Sequence, residues 1–306
     1  MNKRHTIYYG RHTGFVFCLL FLFALLTGCV EEKPVEVSVN AKCAIIVDVW
    51  NGEVLYEKNA DLKYPPASTA KVMTAIVAGE RLSLDFLITP TNAALQVEPT
   101  IAGLKTEVQY KLDDLLSAIL IKSANDASRV IAYEVANNEE NFSKLMNGKA
   151  KSIGMENTYF TKSSGLPTGK KDSQFTTVRD LSKMMKYGLK YQVLSEKMAI
   201  KTENIYGSDN KKISLKSHNK ALFRYDNAPV GKTGYTKEAK RTFVGIDRVE
   251  EPRIIIALLQ SKSLWTDIME LNDKGIILHE RSHRTIFSDF FDWIKRQRQI
   301  GRENTE

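Results

Sequence analysis

Ser68-Thr69-Ala70-Lys71 places a hydroxyl and a primary amine three residues apart. On a helix those positions share a face, so the two side chains can meet. A serine near a helix N-terminus also gains from the helix dipole as negative charge develops there. The stretch from Ser68 to Leu82 is apolar nearly all round, with Val72, Met73, Ala75, Ile76 and Val77. That marks a helix buried in the middle of the domain. Burial disfavours the charged form of Lys71 and lets its amine act as a base. Two other Ser-x-x-Lys quartets, Ser208 to Lys211 and Ser217 to Lys220, lie in polar, loop-like surroundings. Taken alone, Ser68 reads as a helix cap.

A second feature is Lys232-Thr233-Gly234, the one Lys-Thr-Gly of the chain, in a strand-like run. A lysine and a threonine hydroxyl can bind a carboxylate, and glycine lets a ligand backbone approach a strand closely. Ser123-Ala124-Asn125 lies between these features in sequence. By itself it reads as a turn between helices, and Ser38, Ser208 and Ser217 begin similar triplets. The histidines outside the N-terminal segment, His218, His279 and His283, are not beside these motifs in sequence, and there is no Gly-x-Ser-x-Gly elbow. A Ser-His-Asp triad therefore has no support.

Ser-x-x-Lys, Ser-x-Asn and Lys-Thr-Gly in this order resemble the penicillin-binding and serine β-lactamase superfamily. The closer resemblance is to its low-molecular-mass D-Ala-D-Ala carboxypeptidases. It is carried by the stretches Gly52 to Ala60, Pro65 to Ala75, Ser123 to Ala127, Ser164 to Leu166, Arg179 to Leu181 and Gly231 to Thr236. It covers residues 41 to about 275. The resemblance implies an enzyme that removes the terminal D-alanine from peptidoglycan stem peptides through an acyl-enzyme and is acylated by β-lactams. It implies Ser68 as nucleophile, Lys71 as its base and Ser123 as a proton relay to the leaving D-alanine. It further implies that Asn125 holds the substrate amide, that Lys232 and Thr233 of the Lys-Thr-Gly234 strand bind the terminal carboxylate, and that the backbone N–H groups of Ser68 and Tyr235 form the oxyanion hole. No metal and no cofactor are expected.

Two departures bear on these roles. Family members often carry an arginine just after the last strand to help hold the carboxylate, where this chain has Lys262 and Ser263. Gln174 stands where the family often has a histidine, and is read as structural. The Glu-x-x-Leu-Asn loop of class A β-lactamases is absent.

The elements that must position these residues follow from pattern. Ala41 to Val49 is apolar and β-branched, and Asn51-Gly52 signals a hairpin to Glu53–Lys58. The middle third is mostly helical, with helical spacing over Leu112 to Val135 and a helix over Thr177 to Leu189 capped by Thr176 or Thr177. Pro229 to Thr236, Thr242 to Val249 and Arg253 to Leu259 read as strands, and Leu264 to Lys274 as a helix. Strands at both ends around a helical block predict an α+β fold of the β-lactamase/transpeptidase type: one antiparallel sheet assembled from both chain ends and covered by helices.

The chain has 306 residues and a formal net charge of +8. That modest excess suits an anionic polymer or a membrane surface and does not demand nucleic acid. Lys3, Arg4 and Arg11 precede an apolar run from Phe15 to Leu26, too short to span a bilayer comfortably but long enough for a secretory signal. Leu26-Thr27-Gly28-Cys29 resembles the bacterial lipobox, in which the cysteine is diacylated, and two acyl chains anchor stably. The expectation is a signal peptide over 1–28, a lipidated Cys29 with a tether over 29–40, a peptidase domain over 41–275 and a helical segment and tail over 276–306. The protein would be exported and held on the outer or periplasmic side of the membrane. Cys43 alone remains in the domain, so no intramolecular disulfide is expected and a buried inert thiol is.

Three other readings belong to the same sequence. His279-Glu280-Arg281-Ser282-His283 fits the His-Glu-x-x-His zinc-peptidase pattern, with Glu303 as a conceivable third ligand. Short motifs match by accident, and this one lies in a polar C-terminal segment without a second domain to build a cleft. A non-catalytic wall-binding lipoprotein of the same fold is the other alternative. Finally, Ile286, Phe287, Phe290, Phe291, Trp293 and Ile294 have helical spacing and read as a helix docked on its own domain.

Overall fold

A computed structural model of the chain describes residues 33–97, 99–167, 169, 174–248 and 253–284. The signal segment, Cys29, Glu303 and the apolar stretch from Ile286 lie outside the described residues. The chain divides into Met1–Glu36 and Val37–Glu306, and the second unit holds every described element.

In chain order the strands are β1 (Cys43–Asp48), β2 (Val54–Lys58), β3 (Leu87–Ile88), β4 (Tyr110–Lys111), β5 (Thr202–Tyr206), β6 (Lys212–Lys216), β7 (Val230–Thr236), β8 (Lys240–Ile246) and β9 (Ile254–Ser261). The helices are α1 (Ala70–Gly79), α2 (Asn92–Leu95), α3 (Leu112–Leu120), α4 (Asn125–Ala136), α5 (Glu139–Ser152), α6 (Val178–Gly188), α7 (Gln192–Ala199) and α8 (Leu264–Ser282). The main sheet has the order β2-β1-β9-β8-β7 and is antiparallel throughout. Pairing of β1 with β9, from Cys43 opposite Leu259 to Asp48 opposite Ile254, joins the two ends of the chain. Both strands are apolar on both faces and fully buried apart from Gln260, because helices cover each face.

On one side α6 packs against β1 and β9, and on the other α8 does. Helix α8 comes closest at Gly275, where a β-carbon would stand 2.6 Å from Ile254 Cδ1 and 3.0 Å from Ile46 Cγ2. Helix α1 is the apolar hub: every residue from Ala70 to Ala78 is buried, and it contacts α3, α4, α5 and α6. Thr177 caps α6 by accepting from Asp180 N–H, as a threonine at that position should. Cys43 is buried, and burial pushes its thiol up to about 11, so it is inert at neutral pH.

The turn between helices read at Ser123-Ala124-Asn125 is present: Leu112 to Val135 is two helices, broken between Leu120 and Asn125 by Ser123, whose φ is +62°. Three expectations change. The mostly helical middle third gives way at its end to the hairpin β5–β6, in which only one residue of each five-residue strand is fully buried; so thin an apolar signal does not stand out from loop. Helix α8 runs through the boundary expected at 275–276, because Gly275 is a packing contact and not a stop. The expected tether is docked before residue 40: Val39 is buried, Ser38 N–H donates to Glu270 and Asn40 N–H to Asp267.

Candidate active site

Ser68 sits in a 3₁₀ turn, Ala67–Thr69, that feeds directly into α1. One helical turn on, Lys71 Nζ donates to Ser68 Oγ at 3.0 Å, to Asn125 Oδ1 at 2.8 Å and to the Ser164 carbonyl at 2.8 Å. Lys71 has no exposed surface. Burial holds its amine well below the ordinary lysine range, and the charge of Lys232 pushes the same way, against Glu139 and Asp126. Lys71 is therefore poised to be neutral at a pH where a surface lysine is an ammonium.

The break after α3 delivers Ser123, and α4 opens with Asn125 and Asp126. Asp126 accepts N–H bonds from Ala102, Gly103 and Leu104, and Asn125 N–H donates to the Thr100 carbonyl, so α4 also fixes the loop that brings Thr100 to the cleft. From the opposite side β7 brings Lys232, whose Nζ donates to Ser123 Oγ at 2.9 Å and to the Thr233 carbonyl at 2.8 Å. Burial pushes Lys232 down to about 7. Accepting from Lys232 leaves the Ser123 hydroxyl hydrogen to be donated.

Glycines set the closest approaches. A β-carbon on Gly234 would lie 2.7 Å from Ser68 N and 2.5 Å from Thr242 Oγ1, so only glycine lets β7 press against the nucleophile's turn. Gly165 has φ +73°, and its β-carbon would lie 1.9 Å from the Ala67 carbonyl oxygen. The loop bearing Gly165 is held by Glu139, which accepts from Ser163 N–H and Oγ, and by Gln174, whose amide donates to the Gly165 and Leu166 carbonyls. Gln174 thus ties down the loop that offers the Ser164 carbonyl to Lys71.

These elements surround a cleft of about 1010 Å³ lined by Ser68, Ser123, Asn125, Thr233, Gly234 and Tyr235, with Lys71 and Lys232 buried in its wall. Every residue singled out from the three motifs is brought together there. Asn125 gives its Oδ1 to Lys71, which orients the amide at the rim.

The cleft also contains residues that the motifs did not indicate. His218, which is not beside the motifs in sequence, lines it, because hairpin β5–β6 leads back to the cleft through Ser214, Lys216 and Ser217. Burial, together with Lys232 and Lys71, pushes His218 down to about 4, so it is a neutral imidazole. Among the described residues its side chain makes no hydrogen bond to Ser68, and the amine remains the base nearest that hydroxyl. Arg241, opposite Tyr235 in the β7–β8 register with its guanidinium 5.8 Å from that ring, adds a cation to the carboxylate end. It comes from the start of β8, whereas the family's usual arginine follows the last strand, so motif position could not reveal it. A cross-strand register, once known, would have.

A buried amine on a serine hydroxyl, facing a cationic strand, makes this a serine hydrolase site of the penicillin-binding class. The sequence profile of D-alanyl-D-alanine carboxypeptidases matches residues 29–263. The chain is 31% identical to the D-alanyl-D-alanine carboxypeptidase DacB2 of Mycobacterium tuberculosis over 248 residues, 79% of this chain and 84% of that one. It is 32% identical to DacC of Escherichia coli over 290 residues, 91% and 70% of the two chains. Among solved structures, a D-alanyl-D-alanine carboxypeptidase from Mycobacterium tuberculosis H37Rv superposes with a TM-score of 0.74 at 29% identity, over 81% of this chain and 95% of that one. The protein belongs to the D-alanyl-D-alanine carboxypeptidase family.

Proposed function

We propose that the protein removes the terminal D-alanine from peptidoglycan stem peptides through an acyl-enzyme on Ser68. The observation that carries this is the contact of a fully buried Lys71 with Ser68 Oγ, 3.0 Å, in the cleft that β7 closes. Neutral Lys71 takes the Ser68 proton as Oγ attacks the carbonyl of the penultimate residue. The backbone N–H groups of Ser68 and Tyr235 meet the developing oxyanion. Lys232 and Thr233 hold the terminal carboxylate, whose charge restores the ammonium of Lys232, and Arg241 adds to the field. Ser123 passes a proton to the departing D-alanine, and water then releases the shortened peptide.

A β-lactam carries a carboxylate beside a strained amide and fits the same contacts. Incubation with a fluorescent penicillin should leave a stable covalent label on the parent and none on Ser68→Ala, and D-alanine release from a pentapeptide should vanish in parallel. Labelling of Ser68→Ala at the parental rate would place the nucleophile elsewhere.

The same reading places the enzyme outside the cytoplasmic membrane, on peptidoglycan, tethered by lipid on Cys29. What supports it is the basic and apolar N-terminal segment ending in Leu26-Thr27-Gly28-Cys29. Mass spectrometry of the protein from membranes should find a diacylated Cys29 as first residue. A mature N-terminus elsewhere, without lipid, would refute the anchor and leave the activity untouched.

A further inference from the structure

Away from the cleft, the end of α8 meets the end of β1. Asp48, the last residue of β1, is fully buried. His279 Nδ1 lies 2.8 Å and His283 Nε2 2.7 Å from the same oxygen, Asp48 Oδ2. The two imidazoles stand one turn apart on α8 with ring centroids 4.4 Å from each other. One ligand atom from each of the three residues falls within 4.8 Å of the other two.

The geometry points to a divalent transition-metal site formed by Asp48, His279 and His283, with Zn²⁺ as the cation it suits best. Two imidazoles and one carboxylate are a zinc ligand set, whereas Mg²⁺ and Ca²⁺ require mostly oxygen. The carboxylate is held for the purpose: its Oδ1 accepts from Trp50 N–H at 2.7 Å and Asn51 N–H at 3.1 Å, which leaves Oδ2 turned toward the histidines. Trp50 stands edge-on to both rings, with ring centroids at 6.3 and 6.0 Å. His279 is buried, but the His283 side chain is 37% exposed, so a cation can enter and keep a water ligand.

The site is not the centre of a zinc peptidase, although its histidines belong to a His-Glu-x-x-His pattern. Glu280, the residue that would act as general base, faces Arg253 Nη1 at 3.5 Å. None of the three ligands lines the cleft of Ser68. The third ligand comes from the other end of the chain, 231 residues from His279, which no local motif could announce. Bound metal would clamp the C-terminal turn of α8 to the β1–β2 turn, and so hold α8 against the end of strand β1.

Purified protein, stripped with chelator and titrated with ZnCl₂ in a calorimeter, tests this. One Zn²⁺ should bind per chain, raise the melting temperature saturably, and be replaceable by Co²⁺ with the intense visible absorption of a tetrahedral site. His283→Gln, at a half-exposed position that should not disturb folding, should weaken Zn²⁺ binding by at least about 100-fold, since losing even an outer-shell partner costs 10–100-fold. Its penicillin labelling should match the parent's. Asp48→Asn should weaken binding comparably. No saturable Zn²⁺ binding, or binding unchanged in His283→Gln, would overturn the site and leave two imidazoles hydrogen-bonded to a carboxylate. Equal affinity for Ca²⁺ would overturn the ligand assignment.

Discussion

Lys71→Ala should slow acylation by penicillin by about 10²–10⁴-fold, the usual contribution of a positioned base, in a protein that stays folded. The substitution removes donors from Ser68 Oγ, Asn125 Oδ1 and the Ser164 carbonyl, which weakens the local network. It also removes an amine that is costly to bury in its charged form, so the fold has compensation. The pH profile separates a base from a merely structural lysine. Burial and Lys232 lower the affinity of Lys71 for its proton. Parental acylation should therefore climb with pH as Lys71 deprotonates, well below the pH at which a surface lysine would. The climb should be missing in Lys71→Ala. Stopped-flow acylation across pH, with circular dichroism as the folding control, measures both. Acylation of Lys71→Ala as fast as the parent's would reject Lys71 as the base.

Lys232→Met should make the protein more stable and a poor ligand for carboxylates. Lys232 is a cation whose folded-state affinity for a proton is lowered, from 10.5 to about 7. The unfolded chain binds more protons between those values, so stability rises with pH across the window. The cost of holding the charge is complete below about pH 7 and disappears as pH rises through 10.5. At pH 6 it is on the order of 5 kcal/mol, from about 1.4 kcal/mol per pKa unit. Methionine loses the bonds to Ser123 Oγ and the Thr233 carbonyl, roughly 1–3 kcal/mol together. The net gain of about 2–4 kcal/mol corresponds to roughly 5–15 °C in melting temperature. The gain should shrink toward pH 10, where the parent's lysine is neutral. Penicillin labelling should fall by roughly 10²-fold, the worth of hydrogen bonds to a charged group. Calorimetry at pH 6 and 10 decides it: a variant that melts lower than the parent at both values would show that burial of Lys232 is not a cost the site bears.

That cost explains the arrangement of the cleft. Burial disfavours the charge of both lysines, and the charge of Lys232 further disfavours that of Lys71. A substrate carboxylate relieves one of them and leaves the other neutral to act.

Much of this was legible along the chain, for local reasons. Ser68 and Lys71 are a helical turn apart, so their contact is set by helix geometry once Val72 to Ala78 bury the helix around them. The Asn51-Gly52 hairpin and the Thr177 cap are written in two or three adjacent residues. Strands β1 and β9, apolar on both faces, announce a sheet covered on each side. Gly234 and Gly165 could be noticed as glycines, but not understood: the atoms that forbid a β-carbon there, Ser68 N and the Ala67 carbonyl, belong to other segments.

What only the fold decided are relations between distant residues. Lys232 and Ser123 are 109 positions apart, and their bond needs β7 and the α3–α4 break to converge. Hairpin β5–β6 carries one inward residue per strand, too thin a pattern to read, yet it brings His218 to the cleft. Arg241 becomes a cleft residue only through its register opposite Tyr235. The fate of His279 and His283 turned on Asp48, at the far end of the chain, reached because β1 pairs with β9 and α8 folds back over both. Periodicity and caps report the interactions a segment makes with itself. A functional site is made of the interactions that segments make with one another, and those exist only after the sheet has joined the two ends.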